Sequence, residues 1–450
     1  MWKPKYHISP EYGLLNDPNG LIYFKGYYHV FYQWNPNKCA HGPKSWAHMR
    51  SRDMIKWETL PVALTPDKDY DKNGCYSGSA IAKDDTLYLF YTGNVKNNGV
   101  RASYQCLATS QDGINFEKKG PVIDDIDIPK GYTRHFRDPK VFKSKDRFLM
   151  VIGAQREDFS GTIVVFSSTD LLNWRFEEEI IEGDFGFMCE CPDYIEEDGK
   201  HALIFSPQGL EPNGYLYNNR YQSGYIVREL FEKEKNNFTE LDRGFEFYAP
   251  QTFKDENGVT TLIGWMGMPE ELEHPSVKNE NWVHMLTLPR ELEIKNRKIY
   301  QHPHRNLKKM RKNEMKVNNL TVDNSINLKD FSIKGHTYEL EIEFEELKND
   351  IEIKFCKSDN EETVISYSYE KGVISLNRER SGKGYKGIRK CKIDTLSNIR
   401  LFVDNSSFEL FINNGEEVFT GNIYPQLQSD EIEILSSEKI IIPKISFYNI

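Results

Sequence analysis

The sequence predicts an all-β chain in two parts, a five-bladed β-propeller followed by a C-terminal β-sandwich. Three observations carry the prediction. Short strand-like runs separated by turn residues extend from residue 20 to about 290, and a turn motif recurs among them. The last third of the chain then alternates apolar and acidic residues with a period of two. At 450 residues the chain is also longer than one hydrophobic core serves.

The runs of the first part are Tyr27 to Tyr32, Thr86 to Tyr91, Phe148 to Ile152, Ala202 to Phe205 and Thr261 to Trp265. Aromatic and β-branched residues dominate them, and no long stretch has helical periodicity. The recurring motif is Ser51-Arg52-Asp53 leading to Trp57, Ser110-Gln111-Asp112 to Phe116 and Ser168-Thr169-Asp170 to Trp174. Its aromatic returns after 59 and then 58 residues, with a weaker echo at Phe238 after 64. Each period holds about four short strands, the size of one propeller blade, so this part makes about five blades. A double-sheet sandwich is the alternative, but it does not generate a repeated turn.

Composition shifts near residue 290, and Lys295 to Lys316 is rich in Lys, Arg, His and Asn, as a connector or exposed crossing strand would be. Beyond it Tyr338, Leu340, Ile342 and Phe344 alternate with Glu339, Glu341 and Glu343, a strand with one wet face. Ile351, Ile353 and Phe355 repeat the pattern, and Phe408 to Ile412 runs into the hairpin signal Asn413-Asn414-Gly415. The predicted division is a propeller over 1–293, a linker over 294–317 and a sandwich over 318–450. The sandwich shows no cluster of catalytic side chains; it is expected to cover the propeller and to support a homodimer.

Lys+Arg number 58 against 68 Asp+Glu, a net charge of −10, with no basic tract. Such a chain is a poor binder of nucleic acid or anionic membrane, and a small neutral or weakly charged partner is expected. A local Arg, Lys or His could still meet a single phosphate. The seven cysteines show no metal-type pairing, and the one-residue gap between Cys189 and Cys191 is neither a zinc nor a redox spacing. Free thiols in a reducing cytoplasm are the expectation. The residues Met1 to His7 lack the apolar core of a secretion signal, and no apolar run reaches membrane-spanning length.

The candidate chemistry centres on Asn16-Asp17-Pro18-Asn19-Gly20. Proline fixes its own φ and restricts the residue before it, so Asp17 is expected in a stiff turn between Leu14-Leu15 and Leu21 to Phe24. Arg137-Asp138-Pro139 sets a second aspartate before a proline, beside an arginine expected to hold it ionised. Glu190, after Phe185-Gly186-Phe187-Met188, is expected in an apolar setting that keeps it protonated. One ionised and one protonated carboxyl group is what glycosidic cleavage requires. Trp46, Tyr76, Tyr248 and Trp265 are expected to pack on the C–H faces of a sugar, and Asn16, Gln33 and Ser77 to give directional hydrogen bonds. Each motif read alone has a plainer use: a turn, a structural ion pair, a core aromatic. Cleavage by two carboxyl groups needs no metal or other cofactor, and none is assigned.

At these residues the chain resembles glycoside hydrolase family 32, the invertase, sucrose-6-phosphate hydrolase and fructanase group. Leu15 to Gly20 resembles its nucleophile motif, Phe136 to Pro139 its transition-state motif and Glu190-Cys191 its acid/base motif. Phe31-Tyr32-Gln33, Tyr76 to Ser79, Trp282 with Leu286 to Leu292, and Phe402 to Phe411 are further similarities. The resemblance implies hydrolysis of a terminal β-fructofuranoside with retention. Asp17 would then be the nucleophile, Asp138 the group that holds the sugar hydroxyls, with Arg137 beside it, and Glu190 the acid/base. Ser206 to Leu210 with Tyr221 to Tyr225 resembles the intracellular bacterial branch acting on sucrose or its 6-phosphate. His41-Gly42 departs from the family, where a tryptophan often precedes the glycine. His41, Lys44, Arg134 and His135 are the candidates to meet a 6-phosphate. A fructosyltransferase or fructan hydrolase on the same scaffold, and a carbohydrate-binding propeller without turnover, are the alternatives.

Overall fold

The computed structural model describes residues 1–232, 238–345 and 347–450, and it is all-β. Period-two patterning and frequent turn residues leave little to coil; the single α-helix among the described residues is Pro275–Glu280. No helix among them is long and apolar enough to cross a membrane.

Five antiparallel sheets follow one another along the chain. The first contains Gly13–Phe24, Tyr27–Asn35, Ser45–Ser51 and Trp57–Leu64, and the second Cys75–Lys83, Thr86–Asn97, Val100–Ser110 and Glu117–Ile123. The third contains Tyr132–Ser144, Arg147–Arg156, Gly161–Ser168 and Arg175–Glu179, and the fourth Met188–Glu197, Lys200–Gln208, Gly224–Val227 and Thr239–Glu240. The fifth is built on Tyr248–Lys254, Thr260–Met266, Arg290–Lys295 and Lys298–Pro303. The first strand of each sheet neighbours the first strand of the next, and that of the fifth neighbours that of the first. Trp282–Val283 also pairs in parallel with Gly13-Leu14, tying a late segment to the opening strand.

The recurring tripeptide has a physical cause. In each copy the serine hydroxyl bonds the aspartate Oδ1, at 3.0, 2.8 and 3.0 Å. The same oxygen accepts the backbone N–H groups two and three residues on: Ile55 and Lys56, Ile114 and Asn115, Leu172 and Asn173. The aromatic that follows stands at the start of the fourth strand of its sheet, as Trp57 does, or immediately before it, as Phe116, Trp174 and Phe238 do.

All five first strands break register at one equivalent place. The breaks fall between Leu15 and Pro18, Cys75 and Gly78, Arg137 and Lys140, Glu190 and Asp193, and Tyr248 and Gln251. Within or at the end of each break stands Pro18, Gly78, Pro139, Pro192 or Pro250. Proline has no N–H for the ladder and is tolerated where a bulge interrupts it. At position 78 a Cβ would lie 1.9 Å from the Phe90 carbonyl oxygen, so only glycine fits. Asp138, Cys191 and Ala249, each preceding such a proline, adopt φ of 66°, 47° and 46°. Asp17 therefore lies in a bulge of a twelve-residue strand rather than in the stiff turn its sequence suggests. Past the bulges, side chains stitch neighbouring first strands together: Asn19 Oδ1 accepts from Gly78 N (3.2 Å), Ser79 Oγ donates to the Pro139 carbonyl (2.8 Å) and Lys140 Nζ to Asp193 Oδ2 (2.9 Å).

The segment expected as a linker, 294–317, is mostly strand. Lys298–Pro303 closes the fifth sheet and Lys312–Val322 opens the next region, which leaves 304–311 between them. That region has two six-stranded sheets. Leu340, Ile342, Leu401 and Phe447 of one share an apolar core with Ile353, Phe355, Ile365 and Ile434 of the other. Buried charge joins this region to the five sheets: Arg290, with no exposed side-chain surface, contacts Asp242 at 3.1 Å and Glu409 at 2.6 Å.

Candidate active site

The bulges bring Asp17, Asp138 and Glu190 to one place. Cys191 marks the meeting point, because its N–H donates to Asp138 Oδ2 at 3.0 Å while its Sγ stands 3.6 Å from Asp17 Oδ2. Its backbone, at positive φ, is turned for this, which is a cost of about 1 kcal/mol or more that the surrounding sheet must hold in place.

Each carboxyl group has its own partners. Asp17 Oδ2 accepts from the Ser77 hydroxyl and, at 3.4 Å, from Gln33 Nε2, which also donates to Ser77. Asp138 is anchored by its own N–H, donated to Thr92 Oγ1 at 2.9 Å. Glu190 Oε1 accepts from Arg137 Nε at 3.0 Å and Nη2 at 2.8 Å, and Oε2 accepts from Gln208 Nε2 at 2.8 Å and the Tyr248 hydroxyl at 2.7 Å. Burial pushes the Asp17 carboxyl up to about 6; the Ser77 hydroxyl and Lys44 oppose the rise and Glu190 adds to it. Burial also raises Asp138, with Arg137 opposing and Glu190 and Asp17 reinforcing.

Two expectations are corrected here. The charge of Arg137 favours an ionised Asp138 but does not outweigh burial; its fork is directed at Glu190, and only a 4.0 Å approach remains to Asp138. Glu190, in turn, lies in a polar cradle of Arg137, Gln208 and Tyr248 rather than in an apolar pocket, because Phe187 turns outward and Phe185 packs on Phe205.

The aromatic platforms are corrected as well. Trp46 has no exposed surface; its ring packs on Phe31 and Tyr91 and its Nε1 donates to the Tyr76 carbonyl. Trp265 and Tyr248 are buried edge to face, 6.1 Å apart, and Tyr248 enters the site through its hydroxyl. Tyr76 alone of the four keeps a half-buried ring. Asn16, Gln33 and Ser77 are buried and bonded within the protein: Lys44 Nζ donates to Asn16 Oδ1 at 2.5 Å, and the other two face Asp17. Burial takes Lys44 down to about 7, with Asp17 opposing. Of the basic candidates, Arg134 turns away to Asp125 at 3.0 Å, His41 is exposed, and His135 Nδ1 lies 3.1 Å from Arg137 Nη1.

Sequence reasoning gave no role to Cys191, Thr92 or Gln208, although Cys191 and Gln208 stand within motifs that carry the family resemblance. The first had a signal, since Cys191-Pro192 repeats the X-Pro pattern of Asp17 and Asp138. The others lie on second strands, and neither residue type nor spacing points Thr92 or Gln208 at the carboxyl groups. Among the described residues no group of three His, Cys, Asp or Glu side chains is set to hold a metal ion. A wide cavity of about 1530 Å³ opens beyond the bulges, lined by Leu21, Ala80, Val141, Ile195 and Phe253, and none of the three carboxyl groups lines it. The chemistry available is that of a half-buried carboxyl group opposite one held in a hydrogen-bonded cradle, which suits attack by one and proton transfer by the other.

Comparison with known proteins agrees in both regions. The N-terminal domain of glycosyl hydrolases family 32 matches residues 7–303, and the C-terminal domain of the same family matches 306–449. The chain is 44% identical over 453 residues to a sucrose-6-phosphate hydrolase of Bacillus subtilis, covering 96% of this chain and 91% of that one. The solved sucrose-6-phosphate hydrolase from Lactobacillus gasseri superposes with a TM-score of 0.89 at 31% identity, over 100% of this chain and 93% of that one. A Bombyx mori β-fructofuranosidase variant solved in complex with sucrose gives 0.86 at 35% identity, over 99% and 93%.

Proposed function

The chain belongs to glycosyl hydrolase family 32 and is a glycoside hydrolase, and we propose that it is a retaining β-fructofuranosidase acting on sucrose and sucrose 6-phosphate. Asp17 attacks the anomeric carbon of the fructosyl unit while Glu190 gives its proton to the departing glucosyl oxygen. Water, deprotonated by Glu190, then breaks the fructosyl ester and restores both carboxyl groups. Asp138 accepts hydrogen bonds from the fructosyl hydroxyls and favours the positive charge of the transition state. The observation that carries this reading is the convergence of the three carboxyl groups on Cys191 and Arg137.

The architecture that goes with it is a five-bladed propeller and a β-sandwich. The cyclic order of the first strands and the parallel pairing of Trp282–Val283 support the five blades. The core common to both six-stranded sheets supports the sandwich. The boundary between the two domains falls within 304–311. The seven cysteines are all free, six of them buried, and that supports a reducing, cytoplasmic setting.

The test is release of glucose or glucose 6-phosphate and of fructose by the wild type, Asp17→Asn and Glu190→Gln. The wild type is expected to cleave both sugars and Asp17→Asn neither. Glu190→Gln is expected to lose about 10²–10⁴-fold on sucrose and far less on an aryl fructoside, whose leaving group needs no proton. Oligosaccharide in excess of free fructose would indicate a transferase, and binding without turnover by the wild type a non-catalytic propeller.

A further inference from the structure

Of the hairpins around the site, the one formed by Thr86–Asn97 and Val100–Ser110 pairs without a break from Leu87 and Ser110 to its tip at Asn97 and Val100. Its end is fixed from below, since Lys96 N donates to Asn73 Oδ1 at 2.8 Å and Asn73 N to the Asn94 carbonyl at 3.1 Å. Lys96 and Arg101 are direct cross-strand partners, so their side chains share one face. Arg101 Nη1 donates to Asn94 Oδ1 at 2.6 Å, and its guanidinium lies 6.0 Å from the ring centre of Tyr76, the residue before Ser77.

This guanidinium is unusual for its surroundings. Among the described residues no carboxylate lies within 4.0 Å of Arg101 or of Lys96. Arg101 is half-buried; its burial and the charge of nearby Arg137 lower it, and Tyr76 and Glu190 oppose that only in part. Arg137 has Glu190 to neutralise it; Arg101 bonds the Asn94 amide and the Tyr76 side chain, and Glu190 acts on it only from beyond contact distance. His135 joins the same cluster. Its Nδ1 accepts from Arg137 Nη1, which leaves Nε2 to carry the hydrogen and to donate it outward. Burial and the charges of Arg137 and Arg101 take His135 down to about 4, so at neutral pH it is an uncharged donor. Two cations with no carboxylate in contact, beside donors that face the same space, suit an anion with several acceptor oxygens. The cluster adjoins the Arg137 fork and therefore lies on the side of Glu190, where the leaving sugar departs.

We propose that Arg101, Lys96 and His135 form a subsite for the 6-phosphate of the leaving glucosyl group. The proposal rests on the β-fructofuranosidase reading. Lys44 is not part of the subsite, being buried against Asn16 and Asp17, and neither is Arg134, which is paired with Asp125.

The experiment compares kcat/KM for sucrose 6-phosphate and for sucrose in the wild type, Arg101→Gln, Arg101→Lys and Lys96→Gln, with inhibition of sucrose cleavage by glucose 6-phosphate and by glucose. Loss of a charge-assisted pair is expected to lower the ratio of the two kcat/KM values about 10–100-fold in Arg101→Gln. Arg101→Lys recovers part of it, since it keeps the charge without the fork, and Lys96→Gln shows a smaller loss. A merely structural role would lower both substrates together and leave the ratio unchanged, which overturns the proposal. A wild type that cleaves sucrose but binds glucose 6-phosphate no better than glucose removes the subsite and leaves the β-fructofuranosidase reading standing. A wild type that cleaves neither sugar removes that reading, and the subsite with it. Calorimetric binding of sucrose 6-phosphate to Asp17→Asn, with and without Arg101→Gln, gives the same answer without turnover: a weaker Kd supports the subsite and an unchanged one overturns it.

Discussion

Arg137 places its Nε and Nη2 on one oxygen of Glu190, at 3.0 and 2.8 Å, and leaves its sequence neighbour Asp138 4.0 Å away. Adjacent side chains on a strand point to opposite faces, and the bulge turns Asp138 towards the Cys191 N–H instead. The arginine thus orients the group that moves the proton in the proposed mechanism. In Arg137→Lys a single point donor replaces the fork, so kcat on sucrose should fall about 10²-fold through misplacement of Glu190. Steady-state rates check this, and a variant within threefold of the wild type would show that the fork is not needed.

In the proposed mechanism Asp17 must be ionised to attack, and burial holds its carboxyl at about 6. The acid limb of kcat/KM should therefore bend near pH 6 rather than near 4, because that limb reports the free enzyme. Lys44 opposes the rise through its charge. Replacing it by methionine removes that help, and the limb should move to higher pH. A pH–rate profile of both proteins is the measurement, and a limb that stays in place, or moves down, contradicts the assignment.

Much of this is legible in the amino-acid sequence. The Ser-x-Asp turn repeats because one carboxylate oxygen closes the same loop three times, and hydrogen bonding of that kind is written in residue type and spacing. Asp17 and Asp138 were legible because a proline follows each and marks its bulge, whereas Glu190 was picked out for an apolar setting that it does not have. Direction was not legible. Whether Arg137 faces Asp138 or Glu190, and whether Trp46 faces a sugar or the core, depends on bulge geometry and on packing between sheets far apart in sequence. The linker was misjudged for a related reason: the basic, polar composition of 294–303 belongs to a hairpin at the outer edge of its sheet, where half the side chains meet water.

The burial of Asp17 also sets a stability prediction. Its folded value, about 6, lies above the ordinary 3.8, so the folded state holds the proton more tightly across that interval and loses stability as pH rises through it. Asparagine does not titrate. Asp17→Asn should therefore gain on the wild type between pH 4 and pH 7, by at most about 3 kcal/mol. Urea unfolding at the two pH values tests it, and a gain that is equal at both would mean the carboxylate is not strained by burial.

His7 gives the opposite sign. Its ring is fully buried between Asp404 Oδ2, 2.9 Å from Nδ1, and Glu409 Oε1, 3.0 Å from Nε2. Burial alone would lower it, but the two carboxylates outweigh burial and push it up to about 9. Asp404 also accepts the N–H groups of Lys5, Tyr6 and His7, so the N-terminal segment is held to the C-terminal region through this one charged centre. A histidine raised above its ordinary 6.5 contributes stability that is complete below pH 6.5 and is lost as pH rises through about 9. His7→Gln leaves two buried carboxylates short of a cation and should cost about 3–5 kcal/mol at pH 6.5. Between pH 6.5 and pH 10 the wild type should lose about 3 kcal/mol of its advantage over the variant, because its own imidazolium is discharged over that interval. Denaturant midpoints of both proteins across the range measure the difference, and an advantage that does not narrow above pH 8 would mean that His7 is held neutral.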